Sequence, residues 1–368
     1  MNRNHLARVT TLGILTLIAA VAAVQSLSAE DNNRTWQPPP PMPDDFDWVQ
    51  MTSGEWLKGE IIAMYKDTLE FDSDEFDMQM LDWNDIREIR SAQTVRVAFE
   101  DDVIATGKLL VEGDSIRVMG EKEYVSTRSL ILSITAGSPK EKNYWSGNVG
   151  AGLNLRAGNT EQTEYNATAH FSRRTPKNRI NFDYLGSFSE SDGTTVADSQ
   201  RASAGWNRFI SKRFFVSPTY GEYYRDPFQN IAARWSVGAG VGYQIVDTSK
   251  VDLSVEGGIA YQITNFDDVV EGEAASADTP ALAVGTRYDN ELTGWMDYFF
   301  DYRFFLVNEE SGKYTHHLIT GFEFDIIGDL EFNVSIVWDR IQEPRQNSDG
   351  TYPEKDDYRT IFGIEYGF

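Results

Sequence analysis

The feature that most constrains this chain is the alternation of apolar and polar residues within segments of residues 144–368. In the segment that begins at Ala233, Trp235 and Val237 alternate with Ser236 and small residues. Because successive side chains of a strand point to opposite faces, one face of this segment is apolar and the other is small or polar. The alternation exceeds the roughly 5–6 residues of an average soluble strand. It reaches the roughly 9–11 residues that cross a membrane, which favours a transmembrane β-barrel over a soluble sandwich.

Twelve such segments can be counted, and an even number is typical of bacterial single-chain barrels. Tight turns such as 176–178 alternate with longer loops such as 189–199, as periplasmic turns alternate with external loops in such barrels. We therefore predict an all-β fold with a transmembrane antiparallel up-and-down β-barrel of about 12 strands over residues 143–368. The predicted strands are 146–157, 163–173, 179–188, 199–209, 213–224, 232–246, 250–264, 280–288, 294–307, 314–326, 330–340 and 357–368.

The C-terminal segment GIEYGF carries the same alternation to the last residue. Tyr366 and Phe368 share the parity of Phe362 and Ile364, which predicts a closing strand with an aromatic face toward lipid. Gly363, Tyr366 and Phe368 resemble the C-terminal signal that the outer-membrane assembly machinery reads. The expected partners of the barrel are therefore outer-membrane lipid, lipopolysaccharide and that assembly machinery.

The N-terminus has the features of a secretory signal peptide over residues 1–29. Arg3 and Arg8 supply positive charge, an apolar stretch follows, and small residues up to Ala29 suit cleavage. Residues 30–44 contain a cluster of prolines and are expected to form a semi-rigid linker. The chain contains no cysteine, which excludes a lipoprotein anchor and disulfides. The predicted location is the Gram-negative outer membrane, with the following domain in the periplasm.

Residues 45–138 are predicted to form a small β domain with an internal repeat. Val49 matches Val97 and Gly59 matches Gly107, at a spacing of 48 residues. Each copy alternates as strand, turn and strand, which indicates a tandem SH3-like or Sm-like β module. Acidic residues outnumber basic ones in this domain, so RNA is not an expected partner. A periplasmic protein or a glycan is the partner class that we expect for residues 45–138.

The charge of the whole chain argues against nucleic acid as a partner. The sequence has 57 acidic and 33 basic residues, for a formal net charge of -24. Binding to a phosphate backbone requires a basic surface.

One spacing has the appearance of a catalytic site. His170 and Ser172 lie two apart on a predicted strand, so they share a face, and Asn181 on the next strand completes the set used by outer-membrane phospholipases. The predicted register turns them toward the lumen rather than the lipid, so a hydrogen-bonded lumenal histidine is the preferred interpretation. His316 and His317 are adjacent and point to opposite faces, which opposes a metal pair. We expect no enzymatic activity, no metal and no cofactor.

Charged residues recur at the inward parity of the predicted strands. They are interpreted as a salt-bridged lumen that stiffens the barrel, or as the lining of a selective pore. The predicted lumenal charges are Arg156, Asp183, Arg201, Arg234, Asp252, Glu256, Asp297, Asp301, Arg303, Glu323, Asp339, Arg359 and Glu365.

Part of the chain resembles the salt-stress-induced outer-membrane protein family, the YdiY-like proteins. The resemblance rests on Trp145 and Gly147, on the GNT turn at 158–160, and on the RTPK turn at 174–177 before an aromatic strand. It covers residues 143–368 and implies an outer-membrane barrel of undefined biochemical role. It implies no catalytic or binding residues.

These observations predict an envelope protein of structural or stress-response type, with a narrow solute path through the barrel. A substrate-selective outer-membrane channel is the first alternative. A phospholipase-like enzyme at His170, Ser172 and Asn181 is the second.

Overall fold

A computed structural model describes residues 45–100, 102–137, 141–156, 162–248 and 250–368. The predicted signal peptide, 1–29, and the linker, 30–44, lie outside the described residues. In the described ranges no helix is long and apolar enough to span a membrane.

The N-terminal domain is built from nine strands, most of them joined by tight turns. In the order β4-β3-β2-β1-β5-β6-β7-β8 they form one antiparallel sheet, and β9 pairs with both β2 and β5. The strands are β1 (Asp47–Met51), β2 (Trp56–Tyr65), β3 (Thr68–Ser73), β4 (Asp77–Asp82), β5 (Ile86–Phe99), β6 (Ile104–Glu112), β7 (Ser115–Met119), β8 (Glu123–Thr127) and β9 (Ile131–Ala136).

The predicted repeat is present, and its two copies interlock. The first half of β5 pairs with β1, where Val49 faces Ile89, and the second half pairs with β9, where Val97 faces Ile134. These are the same contact in the two copies, since Val49 matches Val97. Strand β9 also pairs with β2, and the first half of β5 also pairs with β6. The last strand of each copy, the first half of β5 or β9, therefore also pairs with a strand of the other copy.

The interlocked copies share a single core. Leu69, Ile86, Ile116 and Ile131 are all at most 1% exposed and belong to one cluster of buried residues. β1, β2, β9 and β5 pair in a closed ring around this core. The tandem module thus forms one small barrel with extended edges.

The C-terminal part is a closed antiparallel barrel of twelve strands. It closes where β10 pairs with β21, and Val149 faces Tyr366 there. The strands are β10 (Trp145–Arg156), β11 (Gln162–Arg174), β12 (Asn178–Ser191), β13 (Thr194–Phe209), β14 (Phe214–Asp226), β15 (Ile231–Asp247), β16 (Val251–Asn265), β17 (Ser276–Thr293), β18 (Met296–Leu306), β19 (Tyr314–Ile327), β20 (Leu330–Ile341) and β21 (Asp356–Gly367). The predicted barrel and strand number are confirmed.

Burial in the barrel is the inverse of that in a soluble protein. On β15, Trp235 and Val237 are 52% and 58% exposed, whereas Ser236 and Gln244 are 1% and 3% exposed. A large exposed apolar surface on a monomer marks contact with lipid or a partner, and an outward apolar band is the mark of a membrane barrel. The chain is therefore a transmembrane β-barrel protein of the outer-membrane type.

The predicted assembly signal lies at the closing seam. The backbone N–H of Phe368 donates to the carbonyl of Gly147 at 3.0 Å, and its ring lies 6.0 Å from that of Phe171. Tyr366 and Phe368 are half exposed on the outer surface, and Gly363 pairs with Asn333 on β20.

The N-terminal domain and the barrel belong to one compact unit, Asp45–Phe368. The domain packs against the barrel end that carries the short turns. The contacts are Lys177 Nζ to Asp102 Oδ1 at 2.7 Å, Lys212 Nζ to Asp67 Oδ1 at 2.9 Å, and a hydrogen bond of 2.8 Å from Ser133 Oγ to the carbonyl of Pro176.

Candidate functional site in the barrel lumen

A chamber occupies the half of the lumen next to the short turns. Its volume is about 1280 Å³, which exceeds the roughly 300–1,000 Å³ of an ordinary ligand pocket. Inward side chains of the barrel line it, and Tyr65, Lys66 and Glu70 of the N-terminal domain lie at its mouth. The chamber is therefore built from both parts of the protein.

The turn between β2 and β3 lies at this mouth, and we name residues 65–68 the lid turn. Lys66 and Asp67 both have positive φ, 50° and 52°, which is typical of a tight two-residue hairpin turn. Tyr65 Oη donates a hydrogen bond of 3.2 Å to the carbonyl of Arg174, and Lys66 forms an ion pair with Asp252. With the Asp67–Lys212 pair, these contacts fasten the lid turn to three places on the rim.

Burial at this mouth alters two titrating groups of the N-terminal domain. Removal from water raises the pKa of the Tyr65 phenol well above its ordinary value. Burial likewise raises the pKa of the Glu70 carboxyl. Tyr65 is therefore a neutral hydrogen-bond donor at all ordinary pH values.

Beyond the chamber, buried ionic groups fill the lumen, and we name them the charge layer. At its centre Arg201 contacts Glu222 and Asp339, each at 2.8 Å, and the side chains of these two acids are only 3% exposed. Arg303 approaches Glu222 at 3.3 Å and donates to Tyr220 Oη at 2.9 Å. The members of the charge layer are Arg201, Glu222, Arg303, His317, Asp339 and Arg359.

Two of these pairs cross the lumen. From β13, which carries Arg201, to β20, which carries Asp339, the shorter route round the barrel is five strands. Arg303 on β18 and Glu222 on β14 are four strands apart. Because the barrel has twelve strands, six would be diametrically opposite. The pairs therefore act as struts between facing walls.

The long loops close the far end above the charge layer. Arg234 of β15 donates a hydrogen bond of 3.3 Å to the carbonyl of Ser311, which lies in the loop between β18 and β19. Asn230 is buried and donates to the carbonyls of Asp268 and Arg345 at 2.7 and 3.3 Å. A void of about 20 Å³ is left between the loops and the charge layer, room for about one water molecule.

The structure places the predicted lumenal charges as follows. The side chain of Arg156 lies outside the described residues, and Arg359 contacts Asp339 in the charge layer. The others line the lumenal cavities. The large chamber contacts Asp183, Arg201, Asp252, Asp297, Asp301, Arg303, Glu323 and Glu365, the small void contacts Arg201, Arg234 and Asp339, and a cavity of about 110 Å³ contacts Asp183, Glu256, Asp301 and Arg303.

Sequence reasoning missed several lumenal residues. Glu222 was missed because a register shift between Ser217 and Tyr220 reverses the parity of β14. Arg287 contacts Asp301 at 2.8 Å and Asp183 at 3.8 Å, and its inward parity could have revealed it. The lid turn comes from another domain, so no strand pattern could have placed it.

The candidate catalytic residues His170, Ser172 and Asn181 lie in the lumen, but His170 and Ser172 are not hydrogen-bonded to each other. Ser172 Oγ donates to Asn181 Oδ1 at 3.0 Å, and His170 Nδ1 lies 2.7 Å from Asp183 Oδ1. All four side chains line the large chamber. A histidine activates a serine from within hydrogen-bond reach, and here the hydroxyl is bonded to the amide instead.

The two adjacent histidines face opposite sides. His316 lies 2.7 Å from Tyr302 Oη and stacks on Trp338 at the outer surface, whereas His317 Nδ1 lies 2.8 Å from Asp339 Oδ1 in the lumen. They do not converge on a shared site.

One group of carboxylates in the described residues has a spacing that could hold a metal ion. It consists of Glu323, Glu331 and Glu365, whose oxygens lie within 4.8 Å of one another. Glu365 accepts from Thr168 at 3.0 Å, and Glu323 from Asn333 at 3.4 Å. The cluster makes the β19–β21 wall of the chamber negative.

The comparisons with known proteins place this barrel in a family. Residues 149–368, more than half of the chain, match the family model described as "Protein of unknown function, DUF481". The chain belongs to this family. The DUF481 match covers the barrel and confirms the family that the resemblance indicated; the N-terminal repeat lies outside it. No curated protein matches the chain significantly.

Solved structures similar to this DUF481 protein are barrels of distant sequence. The NanC porin is 7% identical over 60% of this chain and 98% of its own, with a TM-score of 0.36. The translocator domain of the autotransporter NalP from Neisseria meningitidis is 12% identical over 60% and 87%, with a TM-score of 0.34. The outer membrane channel DcaP of Acinetobacter baumannii is 11% identical over 88% and 94%, with a TM-score of 0.30. Likeness at these scores carries no argument about function.

Proposed function

We propose that this DUF481 protein is a structural or stress-response protein of the Gram-negative outer membrane, whose lumen is closed at rest and holds only a narrow solute path. The observation that carries the proposal is the position of Arg201, which bridges Glu222 and Asp339 on facing walls. A guanidinium shared by two buried carboxylates stiffens a barrel and obstructs its lumen at once.

The two ends of the lumen support the same conclusion. A void between the long loops and the charge layer measures about 20 Å³. The lid turn occupies part of the chamber mouth, where Tyr65 and Lys66 fasten it to the rim.

The proposed orientation puts the short turns and the N-terminal domain in the periplasm, because short turns face the periplasm in such barrels. An added protease should spare residues 45–138 in intact cells and cleave them once the outer membrane is permeabilised. Cleavage in intact cells would reverse the orientation. Residues 45–138 remain available for a protein or glycan partner on the surface that faces away from the barrel.

A substrate-selective channel is the second candidate, and the chamber of about 1280 Å³ is the observation that favours it. A purely structural barrel has no need of so large a chamber, whereas a channel needs room for the solute that enters it. The phospholipase-like alternative has less support, since Ser172 donates to Asn181 rather than to His170. Unchanged lipid hydrolysis in a Ser172→Ala variant would dismiss it.

Swelling of proteoliposomes in small sugars tests the proposal. The wild-type protein should admit sugar no faster than empty liposomes. The double variant Arg201→Ala with Arg303→Ala should admit it, because both struts across the lumen, Arg201–Asp339 and Arg303–Glu222, are then lost. Arg225→Ala is the matched control, since Arg225 pairs with the nearby Asp198 away from the charge layer. Rapid swelling with the wild-type protein would favour the channel.

A further inference from the structure

Two arginines face each other at the chamber mouth. Arg174 ends β11, Arg179 is the second residue of β12, and their Cα atoms are direct cross-strand partners. Their guanidinium carbons lie 3.6 and 5.4 Å from the ring centre of Phe209, which is buried. Like charges directly opposite each other destabilise a sheet. The pair therefore needs negative charge close by.

The described protein does not supply that charge by contact. Neither guanidinium has an ion pair or a side-chain hydrogen bond among the described residues, and Arg174 Nη1 and Arg179 Nε are buried without a partner. Asp247 and Asp252 act on Arg174 only through space. Asp252 is already engaged by Lys66 and by the amide of Gln244. Buried donors without an acceptor are costly.

The surroundings of the pair have the form of a binding site. Arg174 and Arg179 both line the large chamber, and so do Lys66 and Lys250. The Tyr65 ring lies 5.2 Å from the guanidinium carbon of Arg174, so the lid turn packs against this arginine. Aromatic faces hold guanidinium groups in a fixed plane, which orders their free N–H groups before a ligand arrives.

We propose that Arg174 and Arg179 form a binding site for an oxyanion, the carboxylate or phosphate group of a small solute held in the chamber beneath the lid turn. The planar fork of arginine matches both groups through paired, charge-assisted hydrogen bonds. The volume of about 1280 Å³ leaves space for the rest of the solute. The site does not depend on whether the lumen conducts.

The test is the melting temperature of the folded full-length protein in detergent, titrated with inorganic phosphate and separately with acetate at constant ionic strength. A ligand of the folded state raises the melting temperature as its concentration increases. Arg174→Gln and Arg179→Gln should each raise the anion concentration that gives a half-maximal shift by about 10- to 100-fold. This factor corresponds to the loss of one hydrogen bond to a charged group. Arg340→Gln is the control, because Arg340 already pairs with Asp356.

The anion-free melting temperatures supply a second readout. Without anion, each glutamine variant should melt at or above the wild-type temperature, because it removes one of two like charges that face each other across the strands. A response to phosphate alone identifies a phosphate ester, and a response to both probes identifies oxyanions in general. No response in the folded wild type, or a response that both variants retain, would overturn the proposal.

Discussion

Asp339 is the residue whose neutralisation tests the charge layer most sharply. Its carboxylate accepts from Arg201 and His317 at 2.8 Å each and also pairs with Arg359, and its side chain is 3% exposed. Asp339→Asn keeps the shape but leaves two buried guanidiniums without their shared counter-charge.

The expected loss follows from the burial of the pair. Removing one partner of a buried ion pair costs about 3–5 kcal/mol, because an uncompensated charge remains. Arg201 retains Glu222, and Arg359 retains only a longer contact of 3.4 Å with Asp357. We therefore expect a loss of about 3 kcal/mol in the free energy of unfolding, the lower end of that range.

Reversible unfolding in urea from lipid bilayers, followed by tryptophan fluorescence, measures this loss. Asp356→Asn is the matched control on the neighbouring strand, because its pair with Arg340 is about one-third exposed and should matter little. If both substitutions lower the free energy of unfolding by the same small amount, the reasoning is refuted and the charge layer does not stabilise the barrel.

Three further substitutions probe other parts of the molecule. Gly242→Ala should impair folding, measured by heat-modifiable gel mobility, because its Cβ would lie 2.0 Å from Phe215, whereas Gly257→Ala meets nothing closer than 3.8 Å and should fold. Ile134→Ala should destabilise the N-terminal domain by about 2–5 kcal/mol in thermal unfolding, since Ile134 is fully buried in the shared core. Glu70→Gln should stabilise the protein at neutral pH. Burial raises the pKa of the Glu70 carboxyl in the folded protein. The stability that the protonated carboxyl contributes is complete below its ordinary pKa and is lost as the pH rises through the raised pKa. Melting at acid and at neutral pH should show that loss in the wild type and a weaker dependence in the variant.

The barrel could be predicted from sequence because the bilayer imposes the pattern. Every crossing strand must put an apolar face on lipid, so Trp235 and Val237 are visible at a period of two. The ends of the strands are less constrained, because beyond the hydrocarbon both faces can be polar. Strand β17 accordingly begins at Ser276 rather than at residue 280 and extends to Thr293.

The lumen and the lid were harder to predict. Parity places a charge inside the barrel but does not pair Arg201 with Asp339, five strands away. The shift before Tyr220 concealed Glu222, and no local pattern links Lys66 with Asp252. The repeat revealed two copies but not that β9 pairs with β2 and that the first half of β5 pairs with β6. Similarity between the copies does not indicate which strand edges pair.

The most direct test of the closed lumen is single-channel conductance of the refolded full-length protein in a planar bilayer. The wild-type protein should give no discrete steps, and the double variant Arg201→Ala with Arg303→Ala should give steps that are absent with Arg225→Ala. Large, steady steps from the wild-type protein, or a silent double variant shown to be folded, would contradict the claim that Arg201, Arg303 and their partners close the lumen.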